Sequence, residues 1–146
     1  MSDSLDGARE RRAGLRSALG EVERSLASPS TGRGDAWGKT LGADLVRLSE
    51  SLDLHIRTSE APGGLLDDVL ETAPRLAHKV DAARKEHTQL RYRLDKAMKV
   101  LADQQGDDVR TVREQVVEVL AGIVRHRHLG ADLVYEAFSV DIEAAD

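Results

Sequence analysis

Apolar residues recur along this chain in alternating steps of three and four, and that period belongs to a helix with one buried stripe. Four such stripes are present. The first runs Leu5, Ala8, Arg12, Leu15, Leu19, Val22, Leu26, and the second Leu41, Leu45, Leu48, Leu52, His55, Ser59. The third is Leu76, Val80, Ala83, His87, Leu90, Leu94, Ala97, Leu101. The fourth is Val109, Val112, Val116, Val119, Ile123, His126, Gly130, Leu133, Ala137. Breakers separate them: Ser28 to Gly34, with Asp35 placed to cap the second helix; Pro62-Gly63-Gly64; and Gly106-Asp107-Asp108. After Pro62 apolar positions resume at Leu65, Leu66, Val69 and Leu70, which predicts a kinked continuation of the second helix to Thr72. Pro74 opens the third helix, where a first-turn proline is tolerated. Short connections between one-faced helices predict an all-α, antiparallel up-down-up-down four-helix bundle. Residues 1–146 are expected to form one domain, with an acidic tail fraying over 141–146.

Composition agrees and narrows the chemistry. Charged residues make up 32% and aromatics 3%, a bundle composition rather than that of a sheet protein. The absence of cysteine removes disulfides, thiolate nucleophiles, cysteine-zinc sites and cysteine-ligated iron–sulfur clusters together. A net charge of −5 argues against nucleic acid as a partner, the cluster Arg9, Arg11, Arg12, Arg16 being diluted by Asp6, Glu10 and Glu21. The start Met1-Ser2-Asp3-Ser4 does not resemble a signal peptide, and no apolar run reaches the ~20 residues of a membrane span. The expectation is a soluble cytoplasmic protein without membrane or nucleic-acid partners; its protein partner is unknown.

Three histidines carry the functional signal. His55, His87 and His126 each fall on an apolar stripe that the neighbouring leucines and valines define without them. Three chosen histidines on separate helices would do so by chance about one time in forty. His87 lies sixteen residues before Asp103 and His126 eighteen after Asp108, so both stand about 24–27 Å from their shared turn. His55 matches that level within about two turns if the second helix runs on to Thr72. Neutral core histidines satisfied by neighbouring helices are one explanation. A shared divalent metal is the other, because three imidazoles at one level are hard to satisfy separately. His78 and His128 lie off the stripes and are expected in solvent.

The segments His55-Ile56-Arg57-Thr58-Ser59-Glu60, Lys85-Glu86-His87-Thr88-Gln89-Leu90 and His126-Arg127-His128-Leu129-Gly130-Ala131-Asp132 resemble those of the hemerythrin-like, HHE cation-binding family. The resemblance covers most of the chain in helix order and spacing. It implies a four-helix bundle with iron, one or two ions, between its helices; zinc and manganese are the other candidates. It further implies His55, His87 and His126 as ligands, with Glu60 and Asp132 as carboxylate candidates. Oxygen, peroxide, nitric oxide or iron itself would be what the protein handles, with enzymatic activity left open.

The chain departs from the family pattern at several positions. Arg12 stands where a first-helix ligand histidine is usual, and Ser59 where a carboxylate follows the second-helix histidine. Gly130 and Ala131 occupy the matching places on the fourth helix, and Ala83 and Arg91 flank His87 where a second histidine would fall. A five-histidine dinuclear site therefore does not assemble. Either Glu60 and Asp132 swing inward to complete a smaller site, or Arg12 enters the core and neutralises a carboxylate in a metal-free interaction bundle. Two other motifs are set aside. Gly32 to Thr40 lacks both the glycine spacing and the preceding strand of a phosphate-binding loop, and no Glu-x-x-His or His-Glu-x-x-His occurs. Trp37 and Tyr135 are expected to pack at the bundle's ends.

Overall fold

The computed structural model describes the backbone of residues 2–28, 34–104 and 109–145, with side chains for all of these except 2–5, 8, 34, 35, 104 and 140–145. Five α-helices account for nearly all of it: α1 (Ser2–Ala27), α2 (Gly34–Glu60), α3 (Leu65–Thr72), α4 (Ala77–Gln104) and α5 (Val109–Ala145), with a 3-10 turn at Pro74–Leu76. There is no strand among the described residues. The Asp35 cap, the stripe positions Leu5 and Ala8, the Gly106-Asp107-Asp108 turn and the acidic tail's side chains lie outside the described residues. Among the described residues no helix is long and apolar enough to cross a membrane.

The stripes become the core. Leu15, Leu19 and Val22 of α1 meet Leu41, Leu45, Leu48 and Leu52 of α2, Leu90 and Leu94 of α4, and Val112, Val116, Val119 and Ile123 of α5, all of them buried. Contacts between α1 and α2 pair residues in opposite numerical order, Ser25 with Asp44 and Glu21 with Arg47. The same holds for α4 and α5, where His87 meets His126 and Lys79 meets Glu136. Both are pairings of helices that run in opposite directions. Trp37 is buried near the first connection, donating its Nε1–H to the Ser25 carbonyl at 2.9 Å under the Arg113 guanidinium. Tyr135, by contrast, is exposed, because its position turns away from the stripe that Leu133 and Ala137 define.

The second helix does not continue past Pro62. It ends at Glu60, and the chain turns through Gly63 at φ +75°, a left-handed conformation that suits glycine. Gly64 then starts α3 as a separate element. Pro74 likewise heads a 3-10 turn rather than a helix, and α4 begins at Ala77. Because α3 is free of α2's axis, Leu66 and Val69 pack with Leu76, Val80, Leu133, Ala137 and Phe138 into a second apolar cluster. The turn leaves no room for a side chain at Gly64, where a Cβ would meet the carbonyl oxygens of Thr58 and Ser59 and that of Ala61 at 2.9 Å. Gly64→Ala is expected to cost about 1–3 kcal/mol in a urea melt, through backbone displacement at the end of α2. An unchanged midpoint would show that the turn adapts freely.

A candidate metal centre between two apolar clusters

His55 on α2, His87 on α4 and His126 on α5 occupy the layer between the two clusters. Leu52, Leu90 and Ile123 lie on one side of it, and Leu66, Val69, Val80 and Leu133 on the other. Helical spacing alone puts them there, since each histidine takes a stripe position whose neighbours a turn away are apolar. His87 and His126 are buried and His55 is half-buried. Ring centroids lie 4.6 Å apart for His87 and His126, 5.3 Å for His55 and His87, and 5.5 Å for His55 and His126. The rings meet edge on rather than stacked.

Their nitrogens converge. His126 Nε2 stands 3.0 Å from His87 Nε2 and 3.4 Å from His55 Nε2. One ligand atom from each of the three histidines falls within 4.8 Å of the others, a grouping able to hold a metal ion. Two imidazole nitrogens bound to one ion at about 2.0–2.1 Å sit roughly 3.0–3.4 Å apart in octahedral or tetrahedral arrangements. The spacing of these two pairs falls in that interval.

The outer nitrogens face carboxylates. His126 Nδ1 lies 2.8 Å from Glu86 Oε1, and His87 Nδ1 lies 3.6 Å from Glu60 Oε2. An ionised carboxylate only accepts, so in the metal-binding form of His126 the proton sits on Nδ1 toward Glu86 and Nε2 is left as a lone pair. That lone pair serves one donor well, yet two Nε2 atoms approach it. His87 has a further conflict. Turning its proton to His126 leaves Nδ1 without a donor role toward Glu60, and turning it to Glu60 sets two lone pairs against each other at 3.0 Å. His87 Nδ1 is in fact buried without a hydrogen-bond partner among the described residues. A cation at the convergence point removes both conflicts, because all three Nε2 lone pairs then have one acceptor.

Burial pushes His55 down to about 4 and His87 down to about 3, with His126 adding to the effect in each case. Both are therefore neutral at pH 7, the form in which imidazole binds metal. The metal-free protein is expected to be acid-sensitive in consequence. Below about 6.5 the unfolded chain takes up protons that folded His55 and His87 refuse. Stability is thus level above that pH and falls as the pH drops toward 4 and 3. At pH 5 the loss is on the order of 2 kcal/mol for each histidine. Chemical denaturation at pH 7 and pH 5 of the wild type and of a His55→Leu/His87→Leu variant isolates this part, and equal losses in the two would refute it.

The two carboxylates expected from the sequence take other places. Glu60 stands at the outer nitrogen of His87, half-buried, on the far side of the ring from the convergence point. The reason is that α2 ends at Glu60, one residue past the inward-facing Ser59, which is itself buried. Asp132 is exposed and lines an outer cleft with Glu86, Leu129 and Glu136, because Gly130 leaves α5 regular and the side chain keeps its outward angle. Neither joins the histidine nitrogens in the grouping that could hold an ion. The carboxylate closest in role to a supporting group is Glu86, which the sequence marks only as a neighbour of His87. A signal for it exists, since a residue flanking an inward histidine on α4 faces the seam with α5. Arg12 is half-buried and lines the cavity beside the histidines, together with Arg127. His78 and His128 are exposed.

No family model, no curated protein and no solved structure matches the chain.

Proposed function

We propose that this bundle is a hemerythrin-like metal-binding protein that holds one divalent transition-metal ion through Nε2 of His55, His87 and His126. The observation that carries the reading is the approach of two Nε2 atoms to that of His126, at 3.0 and 3.4 Å, while Glu86 engages the same ring's other nitrogen. Ligand histidines are oriented in this way by carboxylates on their second nitrogen. One ion is favoured over two, because Glu60 and Glu86 stand at outer nitrogens and no carboxylate among the described residues is placed to bridge. Neutral imidazoles suit iron and zinc better than manganese, which prefers oxygen ligands. The family resemblance favours iron. When bound, the ion would supply Lewis acidity and, as iron, electron-transfer chemistry. Three ligands leave a position for a small molecule, and a cavity of about 50 Å³ adjoins the histidines, room for a few atoms. A diatomic gas or peroxide is of that size.

A second reading has its own support. The chain of contacts from Glu86 through His126 to His87 also forms hydrogen bonds without an ion, as in a metal-free interaction bundle. Metal analysis of protein produced with iron and with zinc separates the two readings. About one ion per chain, raising the melting temperature by several degrees, is expected for the metal centre. Negligible uptake with an unchanged melting temperature would leave the metal-free bundle.

A further inference from the structure

Two glycines of α5 lie along its seam with α4 and differ in their surroundings. At Gly122 a Cβ would meet Leu90 Cδ2 at 3.0 Å, so the helices close there. At Gly130 nothing outside the local helix backbone lies within 4 Å of that position, and the seam stands open. A glycine inside a helix costs about 0.5–1 kcal/mol relative to alanine, and no close approach offsets the cost at Gly130. The opening is a cleft of about 210 Å³ whose wall includes Ala83, His126, Gly130 and Leu133. The same four residues line the cavity of about 50 Å³ beside the histidines, so the two spaces meet at this point of the seam.

The cleft is also where the carboxylates are. Among the described residues its charged lining is Lys79, Glu86, Asp132 and Glu136, and Lys79 is held by both oxygens of Glu136 at 2.8 Å. Glu86 and Asp132 therefore give the mouth a net negative field. Glu86 Oε1 also meets His126 Nδ1 at 2.8 Å, which joins the cleft to the histidine layer. No carboxylate is among the described residues that line the inner cavity. On the two faces of the layer the apolar clusters close the bundle, with Leu52, Leu90 and Ile123 on one and Leu66 and Val69 on the other. A hydrated cation does not cross such packing.

We propose that the cleft between α4 and α5 is the port through which a divalent cation enters the bundle, with Glu86 and Asp132 drawing it in and the space at Ala83 and Gly130 passing it to the histidines. The inference rests on the metal reading of His55, His87 and His126 and adds the route to that site. The outer cleft has room for an ion with part of its water shell, and the inner cavity for only a few atoms, so water is shed at the shared wall. A carboxylate oxygen that replaces this water before the imidazoles do keeps the charge partnered on the way in. Glu86 has an oxygen for this role, since only its Oε1 is engaged by His126 Nδ1.

The test is kinetic. Zinc uptake by metal-free protein is followed by stopped flow with a chromophoric indicator, and release into excess chelator is timed separately. The proteins are the wild type, Gly130→Leu, Leu129→Lys/Asp132→Asn and, as a charge control on an exposed residue far along α4, Asp103→Asn. Gly130→Leu is expected to slow uptake and release alike by about tenfold or more, because entry then requires the seam to open, with the dissociation constant unchanged. Leu129→Lys/Asp132→Asn alters only exposed positions of the cleft, so it tests the port even if the leucine variant does not fold. Its uptake is expected to be about fivefold or more slower at low salt, a difference that vanishes at about 1 M salt, while Asp103→Asn keeps the wild-type rate. Wild-type uptake in the mouth variant, or in a folded Gly130→Leu variant, overturns the port. So does a Gly130→Leu variant that loses affinity without slower release, since that reports a distorted site and not a blocked passage. A wild type that takes up no zinc removes the metal reading and the port with it, whereas zinc bound at equal rates by all four proteins removes the port and leaves the three-histidine site.

Discussion

Replacing His126 by Asn is expected to lower metal affinity by a factor on the order of 10²–10³, while replacing Glu86 by Gln lowers it by about 10–100. The difference comes from what each group does. His126 Nε2 is the atom that both other Nε2 atoms approach, so its loss removes one of the three proposed ligands and the point around which the others are arranged. Structural zinc sites bind with about 10–16 kcal/mol over four ligands, which puts one imidazole at roughly 3 kcal/mol or more. Glu86 touches no convergent nitrogen. It holds a proton on Nδ1 from 2.8 Å, and its amide replacement can still accept that proton's hydrogen bond through oxygen, but without the charge that raises the ring's basicity. Glu60→Gln is expected to have a smaller effect than Glu86→Gln, since Glu60 stands 3.6 Å from His87 Nδ1. Competition against a chromophoric chelator with zinc gives the order directly. An equal effect for His126→Asn and Glu60→Gln would mean that the ion sits elsewhere.

That hierarchy marks the boundary between what the sequence discloses and what it does not. Apolar period decides which face of a helix is buried, and it sends Leu45, Leu94 and Val116 to the core together with His87 and His126, where the structure has them. It also carries His55 to their level, although the route assumed for it, a helix running on to Thr72, is broken at Gly63. The level survives because α2's position is set by its contacts with α1 and α4, such as Ser25 with Asp44 and Ser49 with Arg91, and not by the chain beyond Glu60. The carboxylates are another matter. Whether Glu60 reaches the front or the back of an imidazole depends on where α2 stops and on side-chain torsions, which no periodicity encodes. Glu86 and Asp132 illustrate the same limit from opposite sides. Both lie off the stripes, yet Glu86 leans across the seam between α4 and α5 to His126, whereas Asp132 remains in solvent. The side chains that tune a site sit at the margins of a stripe, where a modest rotation decides contact or exposure.

Converting the histidine layer to leucine should separate function from stability. For a His55→Leu/His87→Leu variant the expected result is a metal-free protein more stable than the metal-free wild type at pH 7, and by a wider margin at pH 5. In the wild type His87 buries a nitrogen without a hydrogen-bond partner among the described residues, and below about pH 6.5 both rings stay neutral where the unfolded chain takes up protons. An unsatisfied buried polar atom costs about 1–3 kcal/mol. Leucine removes that cost and joins Leu52, Leu90, Val69 and Val80, so that the two apolar clusters become continuous across the layer. The gain at pH 7 is expected at about 1–3 kcal/mol, with the proton-linked part added as the pH falls below about 6.5. The same variant should lose all stabilisation by zinc or iron, which in the wild type is expected to reach about 4 kcal/mol when the free ion is roughly a thousandfold above its dissociation constant. A layer that is unfavourable alone and favourable with an ion is what a binding site looks like in a stability measurement. A layer selected for packing would behave in the opposite way. If the leucine variant proves less stable than the metal-free wild type, the three imidazoles are satisfied by one another and by Glu86, and the metal centre loses its main physical support.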